Sequence, residues 1–350
     1  PPPAHAEFMG WRGGRCLDRW KSTQQAFMVH STGHIMTQAD HSLFRDVRQT
    51  RRQGPRSWPD ADWPAPADGH RATVFVEDML ELASQNGVAA SVMALPGARE
   101  LMLCLGGNSP YLSDLAREDI QAFAALLDKG PDSCVLDAFA TCAQFDATSG
   151  REYVAAFLRH AKKRIAFICA IADLGGAWSL EEVTHTLSRL AETALEIALK
   201  HMLWHASQAG QLDLPDPENP TSGCGLVVLA MGKLGARELN FSSDIDLIVL
   251  YDPTTYSQSD AVRRVFVRMT NDLVSLMEAR DANGYVFRTD LRLRPDPSST
   301  PPAVTVQAGP PVLEGVGGGP GGGAGGRGGG GGGGGRGGGG GGGAGGGGGG

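Results

Sequence analysis

Two aspartates separated by one residue, Asp244 and Asp246, stand at the start of an apolar run that ends at Tyr251. Because side chains alternate along a strand, both carboxylates would point to the same face. Two like charges at the start of a hydrophobic strand are costly unless a cation lies between them, and Mg²⁺ prefers such hard oxygen ligands. The pattern therefore predicts a divalent metal site where the strand begins, with a strand-edge acidic pair as the alternative for a bare Asp-x-Asp.

An apolar run ahead of this pair, Leu226 to Met231, ends in a glycine and a lysine, and a short polar turn or helix follows. The glycine allows backbone to approach a phosphate closely. The turn is not a Walker A motif, because no Ser or Thr follows the lysine. The predicted phosphate or nucleotide ligands in and after this turn are Gly232, Lys233, Arg237, Ser242 and Ser243.

A third carboxylate, Asp290, lies in a segment from Tyr285 to Arg294 that the sequence predicts to be a strand. On that strand Asp290, Arg292 and Arg294 would share one face. Guanidinium groups suit phosphate oxygens, which adds both arginines to the predicted phosphate ligands. If the two strands are neighbours, Asp244, Asp246 and Asp290 can hold two Mg²⁺ ions, the arrangement that stabilises displacement at phosphorus. The three aspartates are therefore the predicted catalytic and metal-binding residues.

Composition excludes several classes of protein. The chain has 350 residues and a net charge of −7, so it has no global basic field for nucleic acid. No uncharged apolar run reaches about 18 residues, and we expect no membrane span. The six cysteines are scattered without metal-binding spacing, which favours buried thiols in a reducing cytoplasm. No secretory signal is apparent, and the first residue is Pro rather than Met, so the sequence is interpreted as a fragment.

Four regions follow from patterning along the chain. Residues 1–72 are rich in Trp, Arg, Pro and His without periodicity and stay unassigned, with disorder or a non-native origin as the interpretations. Residues 73–220 are predicted to be helical and residues 221–308 to form an α+β core. Residues 309–350 are almost all glycine without a collagen period, and we expect this tail to be disordered.

Local signals place the helices. Ser109 with Pro110 indicates a helix start, and Ser179 with Glu182 matches a capping box. The predicted helices include Val76–Gln85, Arg151–Asp173 and Asp260–Arg280, with turns at Gly175-Gly176 and Asn283-Gly284. The polar side of the middle helix carries a basic row, interpreted as a solvated face or, alternatively, as a contact for an acidic partner or a phosphate. The row consists of Arg159, Lys162, Lys163 and Arg164.

A glycine turn, a Ser-Asp-x-Asp strand and a later aspartate strand together resemble the DNA-polymerase-β-like nucleotidyltransferase superfamily. The residue sequence of these motifs resembles one family in particular, the bifunctional glutamine synthetase adenylyltransferase/adenylyl-removing enzymes. The segments that carry this resemblance are 107–112, 164–178, 230–252 and 288–295, within a match of about residues 100 to 307. The resemblance implies that residues 221–308 form a Mg²⁺-dependent nucleotidyltransferase core.

The family has two such domains, and this one resembles the first. That resemblance implies removal of AMP from an adenylylated tyrosine of glutamine synthetase by phosphate, which releases ADP. The alternatives are ATP-dependent adenylylation of the same tyrosine, or a non-catalytic fragment that binds glutamine synthetase or the PII signalling protein. Beyond Val306 the sequence departs from the family pattern, so we expect a truncated core.

Overall fold

A computed structural model describes residues 58–257, 259–294 and 299–306, together with the backbone of a short strand, β1 (Phe27–Met28). Within these ranges the chain is mostly helical and has one small sheet, which confirms the predicted α+β class. The remainder of residues 1–57 and the glycine-rich tail, for which the sequence predicts disorder, lie outside the described residues.

Seven helices of the described residues precede the two long strands. They are α1 (Gly69–Gln85), α2 (Ala90–Met93), α3 (Ala98–Asn108), α4 (Pro110–Glu118), α5 (Ile120–Ala143), α6 (Arg151–Leu174) and α7 (Leu180–Gln208). The first helix begins earlier than predicted, because the Asp68 carboxylate caps it by accepting the Arg71 N–H at 2.9 Å. Residue 72, the proposed regional boundary, therefore lies inside α1. The upstream Trp58 already belongs to the helical region, since its indole N–H donates to the Leu126 carbonyl at 2.7 Å.

The local signals at helix ends are confirmed. The Ser109 hydroxyl caps α4 by accepting the Leu112 N–H at 3.2 Å. Ser179 and Glu182 form the reciprocal capping box, with the Ser179 N–H donating to the Glu182 carboxylate at 2.7 Å. Helix α6 ends at Leu174, directly before the two glycines. These ends were predictable because each cap depends on residues within a few positions of one another.

The sheet is built around two long antiparallel strands, β2 (Leu226–Met231) and β3 (Ile245–Tyr251). The short helix α8 (Gly232–Gly235) begins their connection, and α9 (Ser259–Glu278) follows β3. Strand β1 pairs with the outer edge of β2. On the other side, β4 (Thr289–Asp290) and β5 (Ala303–Thr305) both run parallel to β3.

Apolar side chains fill both faces of this sheet. One face shares a continuous core with the helices, and Val228, Leu247 and Val249 contribute to it. The other face carries a smaller cluster made of Leu229, Met231, Ile248, Leu250 and Val304. Because side chains alternate, Asp246 lies on the same face as Ile248, the face of the smaller cluster. The aspartates therefore stand at the end of the sheet face that is turned away from the helical core.

The predicted strand from Tyr285 to Arg294 is wrong over most of its length. Only Thr289 and Asp290 are in a strand, and residues 292–294 form a turn and a bend. The reason is local: the Asp290 carboxylate accepts the backbone N–H of Arg292 at 2.8 Å, an Asx-type contact that competes with extended pairing. Arg292 and Arg294 consequently do not continue the strand face that Asp290 begins.

The basic row of α6 is not a uniformly solvated face. The Arg159 side chain is only 7% exposed and bonds to the Asp281 carboxylate at 2.9 Å and to the Ala279 carbonyl at 2.8 Å. Lys163 bonds to Glu118 at 2.8 Å. Arg159 thus attaches α6 to the segment that leads from α9 to β4.

Five cysteines fall within the described residues, and all five are buried and unpaired, which confirms their role as small apolar side chains: Cys104, Cys134, Cys142, Cys169 and Cys224. Burial raises the pKa of the Cys142 thiol to about 11. Cys16 lies outside the described residues. None of the described helices combines the length and apolarity needed to cross a membrane.

Candidate metal and phosphate site

The register of the parallel pair β3–β4 decides which predicted residues meet. Asp246 stands directly opposite Asp290, and Ile245 stands opposite Thr289. The Ile245 N–H donates to the Arg288 carbonyl at 2.9 Å, so the residues preceding the two strands are also held side by side. Two of the three predicted carboxylates are therefore neighbours across the sheet, and the third, Asp244, precedes β3 and lies beside Arg288.

Arginine side chains neutralise two of the three aspartates. The Arg288 guanidinium donates to the Asp244 carboxylate and also to the Ser242 carbonyl, the latter at 2.8 Å. The Arg292 Nε donates to the Asp290 carboxylate at 2.9 Å, and this hydrogen bond holds the pKa of Asp290 below its ordinary value. The Arg292 side chain is 83% exposed, so another cation can take its place at little cost.

Asp246 is in a different environment. Its pKa is raised, first by burial and then by the negative charges of Asp290 and Asp244. Arg292 and Lys233 oppose this increase only through longer-range attraction. Among the described residues no side chain forms a hydrogen bond or an ion pair with the Asp246 carboxylate. The site thus contains one crowded, partly desolvated carboxylate whose negative charge lacks a direct partner.

The backbone of Gly232 approaches this carboxylate closely. Its φ of +53° is a conformation that side chains disfavour, and a Cβ built there would lie 2.7 Å from the Asp246 Oδ2 atom. Glycine at this position is therefore favoured by the positive φ and by the short distance to the Asp246 carboxylate, which a side chain would force to move.

The remaining predicted ligands have other partners. The Arg237 guanidinium bonds to Glu192 of α7, with Nε 3.2 Å from Oε1. Arg294 donates to the Thr300 carbonyl at 3.0 Å. The Ser243 hydroxyl accepts the Asn240 N–H at 3.2 Å, and the Ser242 carbonyl accepts a hydrogen bond from Arg288. The structure therefore brings Gly232 and Lys233 to the aspartates but gives Arg237 a role outside them.

A cleft of about 610 Å³ opens beside the aspartates. Predicted residues on its wall are Asp244, Asp290, Arg292 and Arg294, and residues that sequence reasoning missed are Glu278, Arg280, Tyr285 and Arg288. Arg288 could have been predicted from the sequence, because Arg288-x-Asp290 has the same spacing as Asp244-x-Asp246. Parallel pairing of the two segments then places Arg288 beside Asp244. No signal in the sequence identifies the others, since they are assembled by the turn after α9.

The carboxylate oxygens of the three aspartates are of the type that a hard divalent cation prefers as ligands. In the part of the chain that the structure describes, no three carboxylate, thiol or imidazole groups converge on one metal position. Asp244 and Asp290 are each paired with a guanidinium, that of Arg288 and that of Arg292 respectively.

Comparison with known proteins identifies the same segment. The family model described as glutamate-ammonia ligase adenylyltransferase matches residues 99–310, which include α3 to β5 and all the predicted site residues. The chain is 45% identical over 214 residues to the bifunctional glutamine synthetase adenylyltransferase/adenylyl-removing enzyme of Bradyrhizobium sp. (strain ORS 278), covering 60% of this chain and 22% of that protein.

A second relative extends the similarity. The protein of the same name from Brucella suis biovar 1 (strain 1330) is 37% identical over 260 residues, covering 72% of this chain and 26% of the relative. The chain thus matches roughly a quarter of the length of these curated relatives. On the extent of the family match, the chain belongs to the glutamate-ammonia ligase adenylyltransferase family.

Proposed function

We propose that the chain carries a Mg²⁺-dependent nucleotidyltransferase centre of the DNA-polymerase-β-like type that removes AMP from an adenylylated tyrosine of glutamine synthetase by phosphorolysis. The observation that carries this proposal is the pairing of Asp246 with Asp290 beside Gly232, inside the span that matches the family. The names of the relatives, which include both adenylyl transfer and adenylyl removal, support glutamine synthetase as the protein substrate.

Different residues would bind the metal ion and the phosphate groups. Asp246, Asp290 and Asp244 supply the oxygen ligands, and a bound Mg²⁺ would neutralise charge on the transferring phosphoryl group. Gly232 leaves room for phosphate oxygens next to Asp246, and Lys233 adds positive charge there. Arg288 and Arg292 line the cleft and would supply positive charge there for the anions of phosphate or of ADP.

The direction of the reaction rests on the resemblance to the first domain of the family, since the same ligands serve transfer from ATP equally well. The resemblance also supports phosphate, ADP and ATP as small-molecule partners, the PII signalling protein as a protein partner and a cytoplasmic location. We include these as parts of the proposal.

The test uses this chain with adenylylated glutamine synthetase, Mg²⁺ and phosphate, and measures ADP release. We expect ADP from the native chain and none from Asp246→Asn, because the central ligand is lost. Asp137→Asn, which changes an exposed carboxylate paired with Lys129 on the surface, is the matched control and should keep the activity.

Two results would contradict the proposal in different ways. Incorporation of AMP from ATP into unmodified glutamine synthetase, without a requirement for phosphate, would reverse the assigned direction. If the folded native chain catalyses neither reaction at any Mg²⁺ concentration, this polypeptide has no such centre.

A further inference from the structure

Residues 232–240, which we call the site turn, lead from β2 towards the aspartates and are bonded to helix α7 at two points. The Arg237 guanidinium bonds to Glu192 with Nε 3.2 Å from Oε1 and Nη2 3.4 Å from Oε2. The Leu239 N–H donates to the Ser188 hydroxyl at 3.1 Å. Ser188 and Glu192 are four residues apart and therefore lie on one face of α7, so a single rigid helix holds both points.

Arg237 adopts a conformation that its side chain disfavours. Its φ is +59°, and it is the one non-glycine residue with positive φ among those that the structure describes. This conformation brings the Cβ of an L-residue too close to the following carbonyl oxygen, a strain that a glycine would avoid. A strained residue persists where its surroundings fix it, and the fork that Arg237 makes with Glu192 is such a constraint. The Glu192 side chain is 16% exposed, so the pair is partly shielded from solvent.

The constraint reaches the central aspartate through the backbone. The Glu238 N–H donates to the Lys233 carbonyl at 2.7 Å, and the Ala236 N–H donates to the Gly232 carbonyl at 3.0 Å. Gly232 is the residue whose Cβ position lies 2.7 Å from the Asp246 carboxylate. A change in the conformation of Arg237 would therefore shift Gly232 and Lys233 relative to Asp246.

From these contacts we infer that Glu192 is a positioning residue: by holding Arg237 in its left-handed conformation, it fixes the Gly232-Lys233 backbone against Asp246. Arg237 then serves the site through its backbone geometry and not as a phosphate ligand. The inference rests on the proposed function, because it assumes that a divalent cation and phosphate groups are bound at Asp246. It assigns to the helical region a direct part in the site, which the order of elements along the chain did not suggest.

The test measures binding of Mn²⁺ in the presence of ADP to the full chain, together with thermal unfolding. We expect Glu192→Gln and Arg237→Gly to weaken Mn²⁺ binding about tenfold, as loss of a supporting contact around a metal site usually does. The matched control is Glu196→Gln, which removes a carboxylate paired with Lys200 at 2.9 Å on the same helix. It should bind Mn²⁺ within about twofold of the native chain, because that pair does not touch the site turn.

Arg237→Gly separates positioning from a role in stability alone. Glycine adopts positive φ without steric cost but cannot bond to Glu192, so the variant releases the site turn from α7 without adding strain. The melting temperature of this variant should stay close to the native value while its Mn²⁺ affinity falls. The charge swap Glu192→Arg with Arg237→Glu should recover part of the affinity. Native Mn²⁺ affinity in Arg237→Gly would overturn the inference.

Failure of the proposed function would give a different result. If the native chain binds no Mn²⁺ with ADP, the proposed centre is wrong. Amide exchange then still reports on the contact itself, since Glu192→Gln should accelerate exchange at Arg237 and Leu239, and Glu196→Gln should not. Unchanged exchange in both variants would overturn the positioning of the site turn independently of any ligand.

Discussion

The helical region and the aspartate edge of the sheet differ in how their shielded charges are paired. In the helical region the buried Arg159 has a carboxylate and a carbonyl as partners, and the buried Glu182 completes a capping box. At the sheet edge the pKa of Asp246 is raised, first by burial and then by the negative charges of Asp290 and Asp244. The buried charges of the helical region thus have partners within the chain, whereas among the described residues no side chain pairs directly with Asp246.

The largest expected effect tests the paired side of this comparison. Arg159→Ala should lower the free energy of unfolding by about 2–3 kcal/mol, because it removes a charged hydrogen bond to Asp281 and leaves the Ala279 carbonyl without its donor. Urea denaturation measures this loss. Lys129→Ala removes an exposed pair with Asp137 and should cost less than about 1 kcal/mol. Equal losses in the two variants would show that burial does not distinguish these pairs.

An intermediate effect is expected at Gly232. Gly232→Ala should cost about 1–2 kcal/mol through its positive φ, and the new methyl group should also push the Asp246 carboxylate out of place and abolish Mn²⁺ binding. Gly210→Ala is the control, since Gly210 has a φ of +65° but open space around its Cβ position. It should show a similar loss of stability by calorimetry with Mn²⁺ binding intact. Loss of binding in both variants would contradict the role of the Asp246 contact.

The smallest effect has the opposite sign. Asp246→Asn should raise the free energy of unfolding by about 1 kcal/mol or less at pH 7, because it removes a partly desolvated charge that its neighbours repel. A raised pKa in the folded state means that stability falls as pH rises from near 3.8 through the folded value, so the gain should vanish at pH 3.

Asp290→Asn provides the comparison for that measurement. Its pKa is lowered in the folded state, so the stability it contributes is present above the ordinary value and is lost as pH falls through the folded value. The substitution should therefore be slightly destabilising at neutral pH. Chemical denaturation at pH 3 and pH 7 checks both variants, and destabilisation by Asp246→Asn at pH 7 would show that the fold neutralises this charge.

The success of sequence reasoning differed between the same two regions. The Ser109 cap, the Ser179–Glu182 capping box and the end of α6 were predicted correctly, because each depends on neighbours within one helical turn. The segment 285–294 was predicted incorrectly, because alternation favoured a strand while the Asp290 side chain bonded to the backbone two residues later. The basic row of α6 was also misjudged, since periodicity cannot reveal that a distant segment covers Arg159.

What the sequence determined by itself is the chemistry at the edge of β3: the Asp-x-Asp pair, the later aspartate and the glycine ahead of them are specified by residue type and spacing. Only the tertiary structure decided which of these groups meet. The parallel register of β3 and β4 set Asp246 against Asp290, Arg288 bonded to Asp244, and Glu192 of α7 paired with Arg237. The physical reason is that strand register and helix docking are fixed by burial of residues far apart in the chain, which local patterns do not contain.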